Sequence, residues 1–176
     1  MKMKHSTKHM ILAALCLAIA FILPTITGPA INKIWCPMHI AIFLCAYITD
    51  KKWGALVGFI APLLRGLLFG MPPLFPTAIA MAFELATYGF ICGLINEKLK
   101  KNNKTIYISL IIAMLAGRLV WGVVSWILYT AVGNPFTVEL FLAGAFITAW
   151  PGIVLQIILI PIIVMALRKA KLIDHG

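Results

Sequence analysis

Apolar runs long enough to cross a lipid bilayer follow one another along nearly the whole chain, and no other feature restricts the fold as much. The hydrocarbon core is about 30 Å thick and takes about 20 helical residues to cross. No water is available at that depth to receive backbone groups, so only helices and closed barrels can span it. The runs are too long and too uniformly apolar for the alternating, roughly ten-residue strands of a barrel. The fold is therefore read as all-α. Spans are expected at 7–26, 36–50, 52–70, 75–97, 104–132 and 139–169, giving a six-transmembrane-helix bundle and a single membrane domain over 1–176. The second span is short and needs burial, thinning or flanking anchors to cross. Composition agrees: 62% of the residues are hydrophobic and 11% charged, too few polar side chains to cover a soluble domain of this size. The first run, MILAALCLAIAFIL, follows Lys2, Lys4 and Lys8 as a signal peptide would. No small-x-small cleavage site follows it, and Leu15 before Cys16 does not suit a lipoprotein site. It is read as a retained first helix. No convincing internal repeat relates the two halves, which weakens an inverted-repeat transporter reading.

The basic residues orient the bundle. Lys2, Lys4, Lys8, Lys51, Lys52, Lys98, Lys100, Lys101, Lys104, Arg168, Lys169 and Lys171 fall on one side of a six-span chain, and Lys33 on the other. The positive-inside rule then places both termini in the cytoplasm, in a multi-pass protein of the bacterial cytoplasmic membrane. The net charge of +10 thus reports topology. Nucleic-acid binding fits poorly, because these are short clusters beside the spans with no exposed domain behind them.

Three ionisable residues remain at membrane depth: Arg65 near the outer end of the third span, Glu84 within the fourth and Arg118 near the middle of the fifth. Each costs several kcal/mol unless it is paired or faces water. Glu84 can pair with Arg65 or with Arg118 and hold the bundle together. Either way one positive charge is left over, which an anionic ligand would neutralise. At about 100° per residue, Thr77, Glu84, Thr87 and Tyr88 share one side of the fourth span. Ala78, Ala82, Ala86, Gly89 and Gly93 form a small-residue ridge on the other, suited to close helix approach. On the fifth span Arg118, Trp121, Gly122, Ser125 and Tyr129 share a face. That face suits an amphipathic small molecule with one anionic end, although Trp and Tyr also belong in interfacial belts. The outer loops TGPAINKIWCPMH, GMPPLFP and VGNPF are rich in Pro and Gly and read as a lid, to which Asn134 adds an amide. His39 begins the second span at the outer surface, where a histidine on its own is more often interfacial than functional. Cys16, Cys36, Cys45 and Cys92 have no metal-ligand spacing and no evident disulfide pairing, and no metal site is expected. No nucleotide, metalloprotease or nucleophile-elbow motif is present.

The stretch MHIAIFLCAYITDKKWGALVGFIAPLLRGLLFGMPPLFPTAIAMAFELATYG closely resembles the S components of energy-coupling factor (ECF) vitamin transporters, and the pantothenate-type group most closely. The resemblance covers essentially the whole chain and is densest from Met38 to Gly93. It implies a membrane subunit that captures substrate from outside beneath its outer loops. Such a subunit docks on a transmembrane coupling (T) protein carrying two ABC-type ATPases and topples to release cargo inward. ATP is then hydrolysed by separate chains, and this one needs no cofactor. The family's first helix docks through an Ala-x-x-x-Ala surface, which Ala14 and Ala18 match in ALCLA. Small-x-x-x-small pairs are also common in ordinary membrane packing.

Residues and resemblance together give a substrate-capture subunit, not an enzyme, for a water-soluble and anionic vitamin. The expected binding residues are His39, Arg65, Glu84, Tyr88, Arg118, Trp121, Ser125, Tyr129 and Asn134. A self-sufficient ion- or proton-coupled carrier is the alternative. An intramembrane enzyme is disfavoured, because no nucleophile–base pair or metal set is visible.

Overall fold

The computed structural model describes residues 5–100 and 102–173, with the backbone alone at 5, 6, 29 and 33. Lys2, Lys4, Lys101 and the Lys33 side chain, which enter the charge argument, lie outside the described residues. The elements are helical throughout: α1 (His5–Trp35), α2 (Pro37–Ile48), α3 (Lys51–Phe69), α4 (Ile79–Lys98), α5 (Asn103–Ala131), α6 (Val138–Leu142) and α7 (Trp150–Lys169). Single π-helical turns at Leu74–Ala78 and Ala143–Ile147 lead into the fourth and last long stretches.

Among the described residues five stretches are long and apolar enough to cross a membrane: Thr7–Gly28, Lys51–Phe69, Leu74–Lys98, Asn103–Ala131 and Val138–Lys169. The expected second span is α2, which has 12 residues and rises about 18 Å at 1.5 Å per residue. It therefore falls short of the membrane thickness. It is instead the central helix, with Ile42, Phe43, Cys45 and Ala46 almost wholly buried. A helix enclosed by others has no need to match the lipid, because protein shields its ends.

Local signals set the boundaries. The Asp50 carboxylate accepts from the Lys52 and Trp53 amides at 2.8 and 3.0 Å and starts α3; Gly70, at φ 68°, ends it. Asn102 caps α5 by accepting from the Thr105 amide at 2.8 Å. Each cap satisfies amides that the first turn leaves without partners. Within α1 the helix breaks at Gly28 (φ 76°, ψ 167°), a backbone conformation that glycine adopts at little cost. The Asn32 amide bridges the break by donating to the Pro24 carbonyl at 2.8 Å.

The most extensive helix pairing is α3 on α4. The small ridge of α4 makes it possible, and α3 answers with glycines of its own. Gly89 packs against the Gly54 backbone, Gly58 meets the Leu85 carbonyl, and a Cβ added at Gly93 would lie 2.6 Å from Lys51 Cα. Backbones this close leave no room for side chains, which is how membrane helices gain contact without a hydrophobic drive.

At the end of the bundle carrying the basic clusters, polar contacts tie the helices together. Lys51 Nζ bonds Glu97 at 2.5 Å, and His9 meets Asp50 at 3.2 Å. Arg168 donates to Asn96 at 3.0 Å and to the Asn102 carbonyl at 3.3 Å. Tyr47 donates to the Ile106 carbonyl at 2.9 Å.

Candidate functional site

At the other end the helices splay around a cavity of about 540 Å³, within the usual range for small-molecule sites of about 300–1,000 Å³. Pro24, Thr25, Gly28 and Asn32 of α1 form one wall, and Cys36 to His39 at the start of α2 form the next. Arg65 and Phe69 come from α3, and Met71, Pro72 and Pro73 form the rim after it. Thr77, Met81 and Glu84 lead into and along α4, Arg118 and Trp121 stand on α5, and Gly144, Thr148 and Ala149 close the circuit before α7.

The three membrane-depth charges meet here but do not behave alike. Glu84 is 1% exposed and Arg118 8%. Their ion pair, Arg118 Nη1 to Glu84 Oε1, is 2.8 Å long. The Tyr88 hydroxyl donates to the same carboxylate oxygen at 2.7 Å, and His39 Nε2 stands 3.8 Å from it. The carboxylate is thus held by a charge-assisted bond and a hydroxyl, as a buried anion must be. The question left open by the residues is settled in favour of Arg118 as the partner of Glu84.

Arg65, 7% exposed, has no ion-pair partner among the described residues. Its Nη1 donates to the Phe21 carbonyl and the Thr25 hydroxyl of α1, both at 3.0 Å. The guanidinium carbon lies 5.1 Å from the centre of the Phe69 ring, within cation–π range. The cavity therefore holds one neutralised pair and one surplus cation.

Five of the expected residues line the cavity: His39, Arg65, Glu84, Arg118 and Trp121. Four do not. Tyr88 is sealed behind the wall, 1% exposed, and reaches the site through Glu84. Ser125 is buried, and its hydroxyl finds no partner among the described residues. Tyr129 stacks on Phe136 at 5.6 Å, and Asn134 is exposed in the loop beyond. Periodicity placed Trp121, Gly122, Ser125 and Tyr129 correctly on one face of α5, but it could not say what covers that face. The answer is the segment around α6: Phe141 packs on Gly122 and stacks with Trp121 at 6.2 Å, while Phe136 stands edge-on to Trp121 at 5.8 Å. Along α4 the polar stripe also divides. Thr77 lines the cavity, whereas Thr87 turns back to the Phe83 carbonyl at 2.7 Å.

Thr25, Asn32, Cys36 and Met38 contribute to the lining although none was singled out from the sequence. Asn32, Cys36 and Met38 lie in the run TGPAINKIWCPMH, whose Gly and Pro mark the break that turns this segment over the cavity; Thr25 precedes that run and carried no such signal. Ala14 and Ala18 are exposed on α1, while Ala13, Cys16 and Ala20 between and beside them face the core.

No curated protein and no solved structure matches the chain. A family model described as the substrate-specific component of ECF transporters matches residues 8–164, a range that includes every residue lining the cavity. The chain belongs to this family of substrate-specific ECF transporter components, which are transporter subunits and not enzymes.

Proposed function

We propose that this chain captures a water-soluble, carboxylate-bearing vitamin for an ATP-driven ECF importer of the bacterial cytoplasmic membrane. Pantothenate is the favoured cargo, on the strength of the sequence resemblance. One observation carries the charge assignment: the cavity contains two arginines and a single carboxylate, Glu84. In a site partly shielded from water such a surplus is costly when empty and is relieved by an anion. The cavity lies at the end remote from the basic clusters. Cytoplasmic termini would therefore make it face the outside, as capture requires. Six crossings, with α2 reaching through on protein neighbours, complete that topology.

Energy comes from other chains in this reading: a transmembrane coupling protein and two ABC-type ATPases. The exposed Ala14 and Ala18 offer a coupling helix a flat surface on α1. The test has two arms. Mass spectrometry of the purified chain should find a carboxylate vitamin bound to it. Uptake into vesicles should need the coupling module and should be abolished by Ala18→Trp, with binding by the isolated chain retained. Uptake by vesicles holding this chain alone would establish the self-sufficient carrier instead.

A further inference from the structure

The two arginines of the cavity divide the work of recognition. We propose that Arg65 is the receptor for the ligand's anionic group, and that the Glu84–Arg118 pair presents a neutral polar surface to the rest of the ligand. The inference rests on the capture reading and narrows its substrate class to a molecule with one negative charge and an uncharged polar body.

Arg118 is already engaged. Its guanidinium is 2.8 Å from Glu84 Oε1, so a ligand carboxylate placed there would share a cation that is already neutralised and lie beside a like charge. Arg65 presents the opposite situation. One nitrogen, Nη1, makes both of its bonds, and both acceptors are uncharged: the Phe21 carbonyl and the Thr25 hydroxyl. Its Nε and Nη2 have no partner among the described residues, and the side chain they belong to lines the cavity. A guanidinium presents its donors as a fixed fork that matches a carboxylate in two parallel bonds. Anchored through Nη1 and lying near the Phe69 ring at 5.1 Å, the fork is oriented before the ligand arrives, so less rotamer entropy is lost on binding.

Thr25 is then a positioning residue. It touches Arg65, while Phe69 and Pro24 beside it close the apolar part of the wall. A cationic ligand meets an uncompensated positive charge at Arg65. A dianion has a second charge to place against Glu84. The arrangement favours a monoanion over both.

The test is calorimetric titration of the purified full chain with a panel of vitamins. Pantothenate, biotin and nicotinate carry one carboxylate; pantothenyl alcohol, riboflavin, pyridoxine and thiamine do not. Wild type should bind a member of the first set best. Arg65→Met should weaken that vitamin roughly ten- to a hundredfold, the value of one charge-assisted contact. Thr25→Val keeps the charge and should cost roughly two- to tenfold for the same acid. It also serves if Arg65→Met does not fold. Preference of the wild type for a neutral or cationic vitamin would leave vitamin capture standing but remove its carboxylate assignment, and it would overturn the inference. So would an acid whose affinity is undiminished in Arg65→Met, or, should that variant not fold, in Thr25→Val. Binding of no vitamin in the panel would remove the capture reading and this inference with it.

Discussion

The two ends of the bundle use charge in opposite ways. At the basic end Lys51 holds Glu97 and His9 meets Asp50, while Arg168 is tied to Asn96 and to the Asn102 carbonyl. These contacts join α1 to the α2–α3 turn, α3 to α4, and α7 to the α4–α5 region. At the cavity end the polar groups line a hollow of about 540 Å³, and Arg65 is fastened by uncharged acceptors alone. The same residue types therefore close one end and leave the other with an unspent cation. The difference lies in the local supply of partners: acids are in reach at the first end, whereas the residues lining the cavity include a single carboxylate, already engaged.

Three experiments probe that contrast. Glu84→Leu should have the largest effect, because it strands Arg118 in a buried position. Breaking such a pair costs about 3–5 kcal/mol, and replacing both partners with apolar residues restores much of the loss. Thermal unfolding should show a large drop for Glu84→Leu and a smaller one for Glu84→Leu combined with Arg118→Met. If the double variant is no better than the single, the pair is not the unit described here. Next, Arg168→Met removes two bonds at the basic end and should cost about 2 kcal/mol. It should leave vitamin affinity at its wild-type value. A change in affinity would mean that the two ends are coupled.

The smallest effect is expected at Asp50. Burial pushes its carboxyl up, but the Trp53 amide, the His9 ring and the Lys52 amide together outweigh this and hold it below the usual range. A lowered native value stabilises the fold above the ordinary carboxylate range near about 4, and that contribution is lost as pH falls through the native value. Asp50→Ala should therefore cost about 1 kcal/mol at neutral pH, a fall of about 2–4 °C in melting temperature. The gap between the two proteins should shrink in acid. A gap independent of pH would show that the cap acts without its charge.

Much of the fold could be read from local pattern. The apolar runs mark five long helical stretches, and the alanine and glycine spacing of α4 marks its packing ridge, because side chains on one helix keep a fixed period. The candidate site was legible in part. Arg65, Glu84 and Arg118 stood out because charge at membrane depth needs a reason. Ser125, Tyr129 and Asn134 were placed with them by face and by loop. The placement failed where the α6 segment folded its aromatic rings over that face.

The sequence by itself determined that this chain is helical, apolar enough for lipid, and left with one more cation than anion at membrane depth. Those properties depend on residue type and on periods of a few residues. The tertiary structure alone decided that α2 is enclosed by other helices, that Glu84 takes Arg118 and leaves Arg65 to α1, and that Phe136 and Phe141 cover the aromatic face of α5. Each of these depends on which helices become neighbours. That choice is made by packing across the bundle: the attraction between charges 2.8 Å apart in a shielded site weakens steeply once water or one more side chain comes between them.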